Sequence, residues 1–363
     1  MTITPRSTAL PTRNLDVLRA CAVLAVWTGH LIQTLRQQIG DGGLGRLGVL
    51  AFFVHTSLVL MASLERGGTG DGWIRRFYVR RAARIYPLVW ATVALCVIAS
   101  LPYSTIAPGG VEQLARGVAH SGRAVVANLL LVQNVANAPS VLAPLWSLPL
   151  EAQMYLILPA CYLLTLRGLR SVFVGYAVAL IAGVVWFAPL PGIWRLSVLG
   201  FAPCFFGGVL AFAVLRCRPS HRIPAALWPV AILAWGAIGI ALHPMRFGVG
   251  WGLCFALALL IPSWSDLRAT WFTAGAKVIS KYSYGIYLLH MPAWSLAFDV
   301  LDAPRAVQIT AYVIALVGLP VLAYHLIEYP VIEWARTAAF RDPSARQTSN
   351  SSADPAGYES SGG

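Results

Sequence analysis

Apolar runs of about 18 to 22 residues recur along this chain, and as a helix each is long enough to cross the roughly 30 Å hydrocarbon core of a bilayer. Ten can be marked, at 15–36, 44–64, 84–102, 146–166, 171–188, 198–215, 225–242, 250–264, 282–299 and 307–328. Only 11% of the 363 residues are charged, against roughly 25% in a soluble domain. Mean hydropathy is +0.67. These values exclude an ordinary soluble enzyme. Lipid offers no partner for a backbone N–H or C=O, so the chain is expected to be an all-α polytopic membrane protein of about ten transmembrane helices. A further apolar piece, 123–136, holds Asn128, Gln133, Asn134 and Asn137 and is too short to cross. It reads as re-entrant or interfacial.

The formal charge is +13, yet the basic residues sit in short segments between apolar runs and form no aromatic-interleaved surface, so nucleic acid is not an expected partner. Counted over ten crossings that start inside, nineteen Lys and Arg fall on the inner side and seven on the outer. Cytoplasmic loops carry such an excess, so both termini are expected in the cytoplasm and the protein in the cell's inner (cytoplasmic) membrane, multi-pass. No cleavage signal follows the first apolar run, which reads as an uncleaved span. Cys21, Cys96, Cys161, Cys204 and Cys254 lie in apolar runs without metal-like spacing and read as packing residues; no metal site is expected. The expected domains are a cytoplasmic N-terminal segment over 1–13, a membrane domain over 14–335 and a disordered cytoplasmic tail over 341–363 rich in Ser, Gly and Pro. No soluble catalytic domain and no inverted repeat are expected.

Ionisable groups inside spans are costly and mark function. Arg19 and His30 are eleven residues apart in the first span, about three turns, so they share a helix face roughly 16 Å apart. Glu151, early in the fourth span, is expected at the depth of His30. The two form either a base with its orienting carboxylate or a structural ion pair. The stretch from Arg75 to Pro87 packs five arginines into ten residues on the cytoplasmic side, suited either to a phosphorylated ligand or to anionic lipid. His55, His290, His325 and Glu328 also lie in or near the membrane. Many spans with a few buried charges also describe a transporter or flippase of a glycan or small anion, and these residues alone do not separate it from an enzyme.

In order, these segments resemble the acyltransferase-3 family of integral-membrane O-acyltransferases over most of the chain. Arg19 and His30 are similar to its Arg-x10-His signature, and Gly48 to Val54 to its second-span Phe-Phe motif. Arg80-Arg81-Ala82-Ala83-Arg84-Ile85-Tyr86-Pro87 resembles its Arg-Arg-x-x-Arg-Ile-x-Pro loop, Trp146 to Tyr155 its Trp-Ser-Leu-x-x-Glu-x-x-x-Tyr segment, Ser283 to His290 its Ser-Tyr-x-x-Tyr-Leu-x-His span, and Glu328-Tyr329-Pro330 its closing Glu-x-Pro. One departure is Val54-His55-Thr56-Ser57, which lacks the glycine usual after Phe-Phe.

The resemblance implies transfer of an acyl group, commonly acetyl, from acyl-CoA to a hydroxyl of a sugar in a surface polysaccharide, lipid-linked glycan or glycosylated metabolite. It implies a catalytic role for His30, with Glu151 as its partner. It implies contacts of Arg19, Arg80, Arg81 and Arg84 with the phosphates of the donor, and of Trp146, Tyr155, Tyr287 and His290 with substrate. No bound cofactor is implied; acyl-CoA is a substrate, and the remaining expected partners are the acceptor and membrane lipids.

Overall fold

A computed structural model describes residues 8–36, 43–100, 121–217, 223–243 and 246–340; the expected tail over 341–363 lies outside the described residues. Among them there is no β-strand, only an isolated bridge between Ile223 and Trp264. Twelve α-helices are described: α1 (Thr12–Arg36), α2 (Leu44–Gly67), α3 (Trp73–Ser100), α4 (Gly122–Leu129), α5 (Leu148–Leu166), α6 (Leu169–Val185), α7 (Ser197–Cys217), α8 (Trp228–Ala241), α9 (Phe247–Ser263), α10 (Trp271–Ser295), α11 (Arg305–Ala323) and α12 (Tyr329–Phe340). Among the described residues six helical segments are long and apolar enough to cross a membrane: Thr12–Leu35, Leu44–Gly67, Trp73–Ile98, Ala143–Leu166, Ser197–Cys217 and Arg305–Thr337. Leu169–Val185, Ala225–Ala241 and Phe247–Ser263 are apolar but shorter, and α10 is long but dotted with polar residues.

Burial is inverted relative to a soluble protein. Val174, Ile181, Leu233, Ile314 and Val317 point outward, while Asn14, Ser57, Asn128, Gln133, His290 and Glu328 are buried. Outward hydrocarbon and inward polarity are what lipid as solvent selects. Helix α7 is buried along nearly its whole length and packs on α2, α6 and α9. Close approach of α2 and α7 depends on Gly208, where any Cβ would fall on Ser57 Oγ and the Val54 carbonyl. The glycine missing from α2 after Phe52-Phe53 is thus matched by one on the facing helix. Gly208→Val is expected to overpack this crossing by about 1–3 kcal/mol or more, read as a lowered midpoint when folded protein is followed by size exclusion after heating in detergent.

Three elements differ from the sequence expectation. The arginine stretch read as a loop is the start of α3, since no breaker stands between Trp73 and Pro87 and Arg and Ala are strong helix formers. The turn falls instead in the Gly-rich 67–72. Helix α10 begins at Trp271, eleven residues before the marked span, because Thr270 caps it reciprocally with Thr273. Helix α5 starts inside the bundle: the preceding Leu145 and Ser147 are buried. The short α4, about 12 Å long, is followed by turns with positive φ at Leu131 and Asn137. Asn128 Nδ2 donates to the Ala124 and Pro139 carbonyls, its Oδ1 accepts from the Val141 N–H, and Gln133 Nε2 donates to the Leu145 carbonyl. These amides supply the partners that lipid cannot.

Candidate active site

Four helices converge on a narrow central cavity of about 50 Å³. Arg19 of α1, Phe52, Phe53 and Thr56 of α2, Ser147 and Glu151 at the head of α5, and Ser283, Tyr284 and Tyr287 of α10 line it. The depth of Arg19 is set from below. Asn14, fully buried, donates from Nδ2 to the Ser265 carbonyl at 2.8 Å, accepts at Oδ1 from the Leu267 N–H at 3.0 Å, and accepts at its carbonyl from Trp228 Nε1 at 3.1 Å. One and a half turns on, Arg19 Nε donates to Ser283 Oγ at 2.6 Å, while Ser283 donates to the Ser280 carbonyl at 2.8 Å. Arg19 is therefore directed into the bundle.

Glu151 accepts a hydrogen bond from the Tyr155 hydroxyl and faces the same cavity as Arg19. The ring set against His30 is that of His290, with centroids 5.2 Å apart and planes at 36°. His290 Nδ1 lies 3.0 Å from the Ile286 carbonyl; a carbonyl only accepts, so Nδ1 carries the proton and Nε2 is left as an acceptor. That Nε2 is buried without a protein partner. His290 follows the cavity residue Tyr287 by one turn on α10. Tyr287 donates to the Pro144 carbonyl at 2.8 Å and shares a 2.6 Å hydrogen bond with Ser147 Oγ, which fixes α10 against the entry to α5.

The arginines of α3 open a second cavity of about 510 Å³. Arg76, Arg80 and Arg84 recur every four residues and so form one stripe, with Arg81 beside it; Arg66 of α2 and Arg336 of α12 also line the cavity, with Val59, Leu60, Ser63 and Ile332 among them. Among the described residues no carboxylate lines it. Arg84 bridges the two cavities: it is paired with the buried Glu328 and its guanidinium lies 5.2 Å from the ring centroid of Tyr284. Glu328 sits in a π-helical turn, Tyr324–Glu328, between α11 and α12, so the Arg-Ile-x-Pro and Glu-x-Pro motifs, 244 residues apart, meet here.

Of the residues singled out by sequence, Arg19, Glu151 and Tyr287 share the central cavity, Arg80, Arg81 and Arg84 share the second, and His30 and His290 form a ring pair. Trp146 lies outside the central cavity's wall, 5.7 Å from Phe201 between ring centroids. Ser147, Ser283, Asn14, Arg66 and Arg336 were not singled out. Ser147 and Ser283 sit inside the recognised motifs, which is the signal that could have found them. Among the described residues no group of three or more His, Cys, Asp or Glu could hold a metal ion.

The sequence over residues 12–325 matches the model of a family described as an acyltransferase domain. Two curated proteins are similar to the chain at 27% identity: Peptidoglycan O-acetyltransferase OatA of Listeria monocytogenes, aligned over 88% of this chain and 55% of that protein, and Putative peptidoglycan O-acetyltransferase YrhL of Bacillus subtilis, aligned over 92% and 56%. The chain spans about half the length of these relatives. No solved structure matches it.

Proposed function

The chain belongs to this acyltransferase family, and from that premise we propose that it is a membrane O-acyltransferase moving an acetyl group from acetyl-CoA to a sugar hydroxyl of a surface or exported glycan. The proposed topology has ten passes, with both termini on the cytoplasmic face of the inner membrane. The observation that carries the reading is the placement of an arginine-walled cavity next to a central cavity that ends one turn from a histidine pair. A cavity of about 510 Å³ lined, among the described residues, by six arginines and no carboxylate suits the phosphates of a nucleotide donor, since guanidinium forks match phosphate oxygens. The central cavity, at about 50 Å³, suits a small acyl group better than a long one. A glycan acceptor is supported by the two relatives, a peptidoglycan O-acetyltransferase and a putative one.

In this scheme His30 takes the proton of the acceptor hydroxyl as that oxygen attacks the thioester carbonyl. A C–O bond forms, the C–S bond breaks, and the proton passes to the departing thiolate. His290, its Nδ1 proton held by the Ile286 carbonyl, sets the ring of His30 and offers Nε2 as an acceptor. Glu151 acts from the cavity, where it balances Arg19 across the path of the thioester arm, and Tyr155 holds its carboxylate.

The test is purified protein in nanodiscs supplied with acetyl-CoA and glycan fragments, with release of CoA followed against time. Arg80→Ala and Arg76→Ala are expected to raise KM for acetyl-CoA about tenfold each, the order of one charge-assisted hydrogen bond, with kcat little changed. A fall in kcat at unchanged KM would remove these residues from the donor site.

A further inference from the structure

Arg46 stands near the end of α2 opposite Arg66, about 30 Å away along the helix, and nothing in the transfer scheme uses it. Its guanidinium carbon lies 4.5 Å from the ring centroid of Phe247 and 5.1 Å from that of Phe201. Its Nε is buried with no hydrogen-bond partner, and no ion pair among the described residues includes it. Trp186, with its ring centroid 4.9 Å from that of Phe247, buries an Nε1–H that also lacks an acceptor. Aromatic faces hold a cation without neutralising it, and two unsatisfied donors on one aromatic cluster leave a demand that an oxygen-rich anion would meet.

This box packs against the wall of the central cavity. Phe201 packs edge-on against Phe53, centroids 5.6 Å apart, and beside Trp146. Phe53 and Ser147, the residue after Trp146, both line that cavity. A ligand seated on Arg46 would therefore lie against that wall, on the side away from the arginine-walled cavity. Aromatic rings stack on the C–H faces of pyranoses, and an arginine fork matches a carboxylate.

We infer that the Arg46 box is the acceptor's docking site and takes an acidic sugar, its carboxylate on Arg46 and its ring against Trp186 and Phe247. The assignment to the acceptor rests on the proposed transfer reaction, but binding can be tested without the reaction. The full chain in phosphatidylcholine nanodiscs, without donor, is titrated calorimetrically with a glucuronate-containing disaccharide and with its neutral glucose counterpart. The acidic sugar is expected to bind at least tenfold tighter. Arg46→Gln should erase that preference and leave the affinity for the neutral sugar, and Trp186→Phe should weaken both. If Arg46→Gln does not stay folded, Arg46→Lys decides: it keeps the charge and loses the fork, so the preference should drop several-fold. Equal affinities in the wild type, or a preference that survives loss of the fork, overturn the inference. So does a preference that vanishes in phosphatidylglycerol nanodiscs, which would give the box to a lipid headgroup. CoA release measured on the same preparations separates the two claims: a missing preference with release intact removes only the acidic-sugar site, and missing release with the preference intact removes only the transfer reading.

Discussion

His30→Ala is expected to lower the rate of CoA release in the presence of acceptor by roughly 10²- to 10⁴-fold, the range for loss of a positioned general base, with the protein still inserted and folded. The expectation follows from where the imidazole stands. It faces the ring of His290 at 5.2 Å between centroids, and His290 is anchored in turn by the Ile286 carbonyl at 3.0 Å. One turn away Tyr287 opens onto the cavity with Arg19 and Glu151. His290→Ala removes only the group that sets the ring, so a smaller loss in kcat is expected, with the pH dependence of kcat altered. His290→Gln, which can still donate near the Ile286 carbonyl, should recover part of it. Equal loss in both alanine variants would mean that the two histidines act as one unit. Full activity of His30→Ala would end the general-base assignment.

The largest expected effect on stability is at Arg84 and Glu328. The carboxylate is 1% exposed and one of its oxygens, Oε1, has no partner beyond the ion pair that the other makes with Arg84. Arg84→Met leaves that charge buried alone, and removing one partner of such a pair costs about 3–5 kcal/mol. Glu328→Gln leaves Arg84 beside the Tyr284 ring and closer to solvent, so its cost should be smaller. The double variant Arg84→Met with Glu328→Leu should recover much of the loss, because two apolar residues of similar volume need no pairing. The fraction of folded protein after graded heating in detergent reads all three. A double variant no more stable than Arg84→Met would show that the pair is not coupled as the structure has it.

These effects bear on what the amino-acid sequence made legible. The apolar runs gave the helices because lipid leaves the backbone no other way to pair its polar groups. The motif residues supply most of the central cavity's wall, and Arg80, Arg81 and Arg84 of the second. What the runs do not give is how α5 begins. The chain reaches α5 through α4 and turns held by Asn128 and Gln133, so α5 begins among buried residues, a start that the apolar run alone does not reveal. Side-chain-to-backbone bonds of that kind leave no periodic signal. The arginine stretch differs for another reason: its charge argues for a loop while its residues favour a helix, and the helix prevails with the stripe of Arg76, Arg80 and Arg84 lining a cavity of about 510 Å³. The contact between Arg84 and Glu328, and the box around Arg46, join segments far apart in the chain and become visible only once helices pack.

The most direct test of the central claim is transfer across a sealed bilayer. Protein reconstituted into liposomes in the orientation that exposes the arginine-walled cavity to the bulk is given acetyl-CoA carrying an isotopically labelled acetyl group outside, with glycan fragments trapped inside, and the fragments are read by mass spectrometry. A labelled acetyl group on a sugar hydroxyl, matched by an equal amount of free CoA outside and absent with His30→Ala, is the predicted result. Unmodified fragments with acetyl-CoA intact, from protein that is folded and correctly oriented, would contradict it.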